Sequence, residues 1–325
     1  MSLRPLLALL AVLPLSAAEL LNVSYDVTRE FYKDVNTAFA ATWQRDHGEA
    51  VTITQSHAGS SKQARAVIDG LKADVVTMNQ ASDIDRIAAA KLLPKDWQQR
   101  LPNGSAPTSS TIIFVVRAGN PKQISDWGDL VKPGVSVVVP NPKTSGNGRY
   151  SYLAAWAWAQ KTYGGDQAKV RDFVKRLFAN VPVFDTGGRG ATTTFAQRGI
   201  GDVLLTFENE VGLITQDVGG KNLEPVVPSL SIRADLPVAV VTKYAAKHGT
   251  SDLAESYLRF LYTPEAQAIA VRHHLRSTDA ALLAQAGDRY ARPTLVTVED
   301  TVGGWDAAQK VHFNDGALLD QLLTK

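Results

Sequence analysis

The sequence predicts an α/β protein built as two lobes, each a sheet flanked by helices, with a ligand cleft between the lobes. Three observations carry that expectation. Apolar runs of strand character alternate with apolar stripes at helical spacing, first from Leu20 to Pro94 and again from Val135 onward. Between those stretches an apolar strand, residues 111–117, has no helix before it and reads as a crossing from one lobe to the other. Four polar turns rich in Gly, Ser and Thr each sit where a strand-like run gives way to a helical pattern.

In the first lobe, residues 20–25 form the opening strand, and Phe31, Val35, Phe39 and Trp43 recur as one apolar stripe of a helix. Residues 51–56 make a second strand. Ser60 and Gln63 then have capping-box spacing ahead of Ala64, Val67, Ile68 and Leu71. Residues 73–78 are a third strand, followed by a helix around Ile84, Ile87 and Ala88 that stops before Pro94. This β-α-β-α-β-α order is that of a parallel sheet covered by helices. The pattern turns irregular between Leu101 and Pro107 and restarts past the crossing strand. There, residues 135–139, 181–184 and 202–207 read as strands. Tyr152, Trp156, Ala159 and Tyr163 mark one helix, Val170, Phe173, Val174 and Leu177 another, and residues 192–197 a helical turn. After Val226-Val227-Pro228, residues 236–241 read as the return crossing. The remainder is largely helical, with Tyr257, Leu258 and Leu261 on one face and Thr263-Pro264-Glu265 as a helix start. The expected division is a signal peptide over 1–18, lobe one from 19–112 together with 229–325, and lobe two from 113–228.

The chain opens with a basic start at Arg4, an apolar run over residues 5–15, and Ser16-Ala17-Ala18 before Glu19. That is the layout of a cleaved secretory signal peptide. The run is shorter than the roughly 20 apolar residues a spanning helix needs. Export to the periplasm with cleavage after Ala18 is expected, and with no Cys before the cut no lipid anchor. An exported chain without a single cysteine relies on packing, for which its 45% hydrophobic content is ample. A thiol nucleophile and thiolate metal sites are excluded. The net charge is +2, from 34 basic and 32 acidic residues without a basic run, which argues against a nucleic-acid footprint. Bulk charge is therefore not what would draw in an anion.

The four turns are Tyr25-Asp26-Val27-Thr28, Gln55-Ser56-His57-Ala58-Gly59-Ser60-Ser61, Asn141-Pro142-Lys143-Thr144-Ser145-Gly146-Asn147-Gly148 and Asp185-Thr186-Gly187-Gly188-Arg189-Gly190. A strand ending in such a turn leaves the first backbone N–H groups of the next helix without internal partners. In open α/β sheets ligands bind beyond the strand C-termini, and all four turns fall there, on both sides of the inferred cleft. Any one of them ordinarily does no more than start a helix. Four converging on one cleft make a cage of neutral donors suited to a small, fully ionised anion.

Longer strings narrow the reading. Leu20-Leu21-Asn22-Val23-Ser24-Tyr25-Asp26, Gln55-Ser56-His57-Ala58-Gly59-Ser60-Ser61-Lys62-Gln63, Ala73-Asp74-Val75-Val76-Thr77, Pro140-Asn141-Pro142-Lys143-Thr144-Ser145-Gly146-Asn147, Phe184-Asp185-Thr186-Gly187-Gly188-Arg189-Gly190-Ala191-Thr192 and Gly201-Asp202-Val203-Leu204-Leu205 closely resemble the periplasmic sulfate- and thiosulfate-binding proteins of ABC importers. The resemblance runs from about Leu20 to the C-terminus and includes Gly303-Gly304-Trp305 and His312-Phe313. It implies the type II fold of periplasmic binding proteins and a receptor that captures sulfate and thiosulfate and delivers it to an inner-membrane ABC permease. A monomer without cofactor, metal, nucleic-acid partner or enzymatic activity is expected.

Position by position, the resemblance implies N–H donation from Asp26, Ser60, Gly146, Asn147 and Gly188, and a hydroxyl from Ser145, to a dianion held in a dry cleft without counter-charges. Asp26 and Ser60 would come from the first lobe and the others from the second, so the ligand straps the cleft shut. One departure matters. Sulfate-type members have Trp at position 207, whose indole N–H reaches the anion, whereas Phe207 offers no donor. Asp26-Val27, Ala58-Gly59-Ser60-Ser61, Thr144-Ser145-Gly146-Asn147, Gly187-Gly188 and Phe207 all lean to the thiosulfate type. Thiosulfate carries a larger, softer sulfur in place of one oxygen, and a ring edge without a donor suits it. Losing a charge-assisted hydrogen bond of roughly 1.5–3 kcal/mol would cost sulfate about tenfold or more, so both anions are expected to bind, thiosulfate at least as tightly. Phosphate keeps a proton at neutral pH that a cage of donors leaves unsatisfied. Of the nearby carboxylates, Asp26 is expected to contribute backbone only and Asp185 to turn away towards Arg189.

Other polar residues have plainer expectations. Arg189 braces its loop through a carboxylate rather than touching the anion. Lys62 and Lys143 read as surface or loop-packing residues, and His57 as a hydrogen bond that holds loop shape. His273 and His274 adjoin and face different ways, which makes a poor metal pair. Glu208 and Glu210 look like a catalytic acid pair but are expected to bond backbone or Arg. Gly-x-Ser-x-Gly, His-Glu-x-x-His and Walker A patterns are missing, and the adjacent Ser56-His57 has poor geometry for a triad. The competing readings are a receptor for molybdate or tungstate and a sulfate-ester hydrolase using the same pocket.

Overall fold

The computed structural model describes residues 18–215 and 222–323; the expected signal peptide lies outside them except for Ala18. Among these residues the strands form two sheets. In the first, β1 (Ala18–Tyr25) is flanked in parallel by β2 (Val51–Ala58) and β3 (Val75–Thr77). The periodic stripes become the covering helices. The first, α1 (Arg29–His47), buries Phe31, Val35 and Phe39. Helices α2 (Ser60–Ile68) and α3 (Ala81–Ala89) bury Ala64, Val67, Ile84 and Ile87 against Val23, Val76 and Trp97. Helix α1 stops at Gly48, whose φ of 72° turns its N–H back to Gln44 O, a left-handed cap that glycine adopts at least cost.

The expected capping box does not form. Gly59 is the N-cap of α2, and Gln63 Nε2 instead donates to Ser24 O (3.2 Å) and Ser56 Oγ (3.0 Å). Gln63 is buried between β1 and β2, where strand acceptors out of reach of water take its amide.

A tight turn, α4 (Pro102–Ser105), with positive φ at Asn103, Gly104 and Ser105, leads into β4 (Thr108–Arg117), the long strand of the second sheet. The C-terminal part of β4 pairs antiparallel with β7 (Val203–Phe207) and β8 (Leu223–Val226). Its first residues pair with β9 (Leu230–Leu236) and β11 (Arg276–Ser277). Beyond β7 lie β5 (Val137–Pro140) and β6 (Phe184–Asp185), both parallel to it in sense, and β12 (Thr294–Val296) edges β9. Helices α5 (Gly146–Thr162), α6 (Gln167–Ala179), α7 (Gly188–Thr192) and α8 (Glu208–Leu213) accompany this sheet.

The return crossing expected over residues 236–241 is two strands in different sheets. Strand β9 ends at Leu236, and β10 (Val238–Val240) joins β3 antiparallel in the first sheet. The break falls at Pro237, which has no N–H for a ladder but accepts from Met78 N–H (2.9 Å). Helices α9 (Thr242–His248), α10 (Ser251–Phe260) and α11 (Pro264–Arg272) follow; Thr263 Oγ1 caps the last through Ala266 N–H (3.3 Å). Among the described residues no helix is long and apolar enough to cross a membrane.

Candidate functional site

Four of the parallel strands, β1, β2, β5 and β6, end in the four turns singled out above, and turns from the two sheets touch at backbone level. A methyl group at Gly59 would lie 2.5 Å from Thr144 O and 2.6 Å from Thr186 O. One at Gly187 would overlap Asp26 Oδ2 and stand 3.4 Å from Gly59 N; one at Gly188 would stand 2.8 Å from Val27 Cγ1 and 3.3 Å from Asn147 Nδ2. Thr144 Oγ1 also donates to Thr186 O at 3.0 Å. At Gly59, where the obstacles are backbone oxygens, hydrogen is the only side chain this approach admits. Asp26, Ser60, Ser145, Gly146, Asn147 and Gly188 therefore lie in one cluster, with Ser60, Ser145, Gly146, Asn147 and Gly188 buried.

The helix ends in this cluster carry no side-chain caps. Helix α2 follows Gly59, α5 follows Ser145, α7 follows Gly187, and a turn of 3-10 helix (Asp26–Thr28) follows Tyr25, each without a capping bond. The first intrahelical bonds run from Gln63 to Gly59 O, Arg149 to Ser145 O and Ala191 to Gly187 O. The N–H groups of Ser60, Gly146, Asn147 and Gly188 precede them and are left for an external acceptor. Arg189 N–H is already used, donating to Asp26 Oδ2 at 3.2 Å. Burial raises the Asp26 carboxyl, against the N–H groups of Arg189 and of Asp26 itself, which lower it.

Side chains brace the cluster from behind. Asn147 Nδ2 donates to Thr206 Oγ1 (3.3 Å), so its amide is engaged away from its own N–H. Phe207 is fully buried at the end of β7, edge-on to Tyr25 (6.3 Å) and Tyr150 (5.9 Å). Arg189 pairs with Glu30 of α1 at 2.7 Å, so it braces through a carboxylate, but not through Asp185. Asp185 lies under Gly190 and accepts from Thr194 Oγ1 (3.1 Å), while the longer guanidinium reaches across to the other sheet's helix. His57 bonds Tyr25 O (3.2 Å) and Gln55 Oε1 (2.6 Å), and Lys143 Nζ bonds Phe313 O (3.0 Å) and Asp320 (2.9 Å). Lys62 is exposed. His273 bonds Asp34 (2.8 Å), and His274 Nε2 abuts Gly212.

Glu208 meets the expectation, bonding Arg276 at 2.7 and 3.0 Å and Ala291 N–H. Glu210 departs from it. It accepts from Thr206 Oγ1 (2.5 Å) and Thr192 Oγ1 (3.3 Å), and Oε2 lies 3.4 Å from where a Gly188 Cβ would stand. Its side chain comes from α8, the helix that follows β7, and only the fold brings Thr192 and Gly188 to it.

Burial pushes the Glu210 carboxyl from 4.5 up to about 7, with Thr206 opposing and Asp26 adding. The folded state then holds an extra proton between those values. The contribution of Glu210 to stability is fully present below the ordinary glutamate range and is lost as pH rises to about 7. The Glu210 share of that decline should be about 3 kcal/mol in the unliganded protein. Glu210→Gln should remove it in urea denaturation at pH 5 and pH 7.5; a variant keeping the wild-type slope would assign the proton elsewhere.

A family profile described as bacterial extracellular solute-binding protein matches residues 27–276. The chain belongs to that family. This solute-binding protein is 55% identical over 308 residues to the thiosulfate-binding protein of Pseudomonas aeruginosa, with 94% of this chain and 92% of the relative covered. It is 52% identical over 304 residues to the sulfate-binding protein of Salmonella typhimurium, again covering 94% and 92%. The solved structure of the sulfate-binding protein SubI from Mycobacterium tuberculosis matches it with a TM-score of 0.80 at 33% identity, over 91% of this chain and 100% of that one. The family resemblance read from the turns and strings is thereby shown, and with it the two-lobed α/β fold.

Proposed function

We propose that this solute-binding protein is an exported receptor that captures sulfate and thiosulfate in the periplasm and delivers them to an inner-membrane ABC permease. The observation that carries the reading is the meeting of uncapped helix N-termini from both sheets at backbone contact. A tetrahedral dianion without a proton presents only acceptors, and N–H groups of Asp26, Ser60, Gly146, Asn147 and Gly188 with the Ser145 hydroxyl supply donors without a counter-charge. The sulfate- and thiosulfate-binding names of the relatives support the same ligands.

Two lobes, one built on each sheet, close on the anion, which contacts both and so favours the closed state. The mature chain starts after Ala18 and works as a monomer, without cofactor, metal or nucleic acid. It is a receptor rather than a hydrolase: Ser56 Oγ accepts from Gln63 and His57 is bonded to Tyr25 and Gln55.

Titration calorimetry with sulfate, thiosulfate, phosphate and molybdate tests this. One site is expected for sulfate and thiosulfate, thiosulfate binding at least as tightly, with phosphate about 100-fold weaker. Sulfate binding without thiosulfate binding, molybdate outcompeting both, or turnover of a chromogenic sulfate ester would each contradict the reading.

A further inference from the structure

One buried polar side chain of the cluster has no part in the assignments above. Asn79 lies between the end of β3 and the start of α3, is 2% exposed, and donates its backbone N–H to Ser60 Oγ at 3.4 Å. Its carboxamide packs on Gly146 so closely that a Cβ there would overlap Oδ1, with Nδ2 3.0 Å from the same point. Asn79 thus stands between the first residue of α2 and the first residue of α5, two of the helix ends assigned to the anion. Its Oδ1 is buried without a hydrogen-bond partner.

A buried carbonyl oxygen without a donor is costly and calls for an explanation. An unpaired acceptor beside an anion site also has the wrong polarity. Oxygen and nitrogen of a carboxamide have nearly the same shape, so half a turn about the last torsion exchanges the orphaned oxygen for an NH₂ donor without repacking. Phe207 offers the anion no donor from the end of β7, and from the β3–α3 turn the neutral carboxamide of Asn79 reaches the cluster at Gly146.

Resting on the sulfate and thiosulfate reading of the site, we propose that Asn79 is a further ligand-binding residue, its carboxamide donating Nδ2–H to the bound anion from the β3–α3 turn. It adds a neutral side-chain donor from the first lobe and keeps the cage free of cationic heads. The donor serves an oxygen in either anion, because thiosulfate can direct its sulfur at the Phe207 ring.

Calorimetry on the full chain tests this with Asn79→Ala, which deletes the amide, and Asn79→Leu, which keeps its size without donor or acceptor. Both variants should bind sulfate and thiosulfate about tenfold more weakly or worse. Their unliganded thermal midpoints should equal or exceed that of the wild type, since in the empty site the carboxamide buries a polar atom without a partner and the variants remove it. Wild-type affinity in either variant would overturn the assignment, as would affinity loss matched by a fall in unliganded stability in both. A wild-type protein that binds neither anion would remove the site reading itself; one that binds both while the variants match it removes only Asn79.

Discussion

Gly59→Ala is expected to leave the protein folded and to cost about 100-fold in affinity for thiosulfate. Gly59 has φ −55° and ψ 140°, a conformation alanine adopts freely, so the substitution does not strain its own loop. The obstacle lies across the cleft. The new methyl would stand 2.5 Å from Thr144 O and 2.6 Å from Thr186 O, both on loops of the second sheet. Overpacking against yielding side chains costs about 1–3 kcal/mol. Two backbone oxygens give way less easily, and the upper end of that range corresponds to about two orders of magnitude in binding. Calorimetry and the unliganded melting curve read the two halves of the prediction. Small-angle scattering should show the wild type compacting with ligand and the variant remaining open. Undiminished affinity would mean that these turns do not approach in the liganded protein.

Phe207→Trp should move preference towards sulfate by about tenfold. The ring is fully buried, with its neighbours Tyr25 and Tyr150 at 6.3 and 5.9 Å, so its edge and not a hydroxyl or amide is what position 207 offers. An indole adds one N–H, and a hydrogen bond to a charged oxygen is worth roughly 1.5–3 kcal/mol. The soft sulfur of thiosulfate gains less from it. The ratio of the two dissociation constants is the measurement, and a ratio equal to that of the wild type would remove Phe207 as a determinant.

The frame of the molecule could be read from the chain because its signals are local. Stripes such as Phe31, Val35 and Phe39 and starts such as Thr263-Pro264 depend on neighbours within a few turns. The four turns were visible for the same reason, since glycine and small polar residues concentrate where strands hand over to helices. What escaped is set by contacts distant in sequence. Gln63 has the spacing of a capping residue, yet the buried acceptors of Ser24 and Ser56 take its amide. Arg189 has the carboxylate of Asp185 near it in sequence, yet it pairs with Glu30 on the other sheet's helix. Asn79 in the β3–α3 turn and Glu210 in α8 sit in segments of ordinary composition, and only the fold brings Gly146 to one and Gly188 to the other. The strands β8, β11 and β12 span two to four residues, too short for a period-two pattern to show.

A crystal structure of the thiosulfate complex tests the central claim most directly. Oxygens of the anion should lie about 2.7–3.2 Å from the backbone nitrogens of Ser60, Gly146, Asn147 and Gly188, with no lysine or arginine head in contact. An anion found away from these amides, or held mainly by cationic side chains, would contradict it.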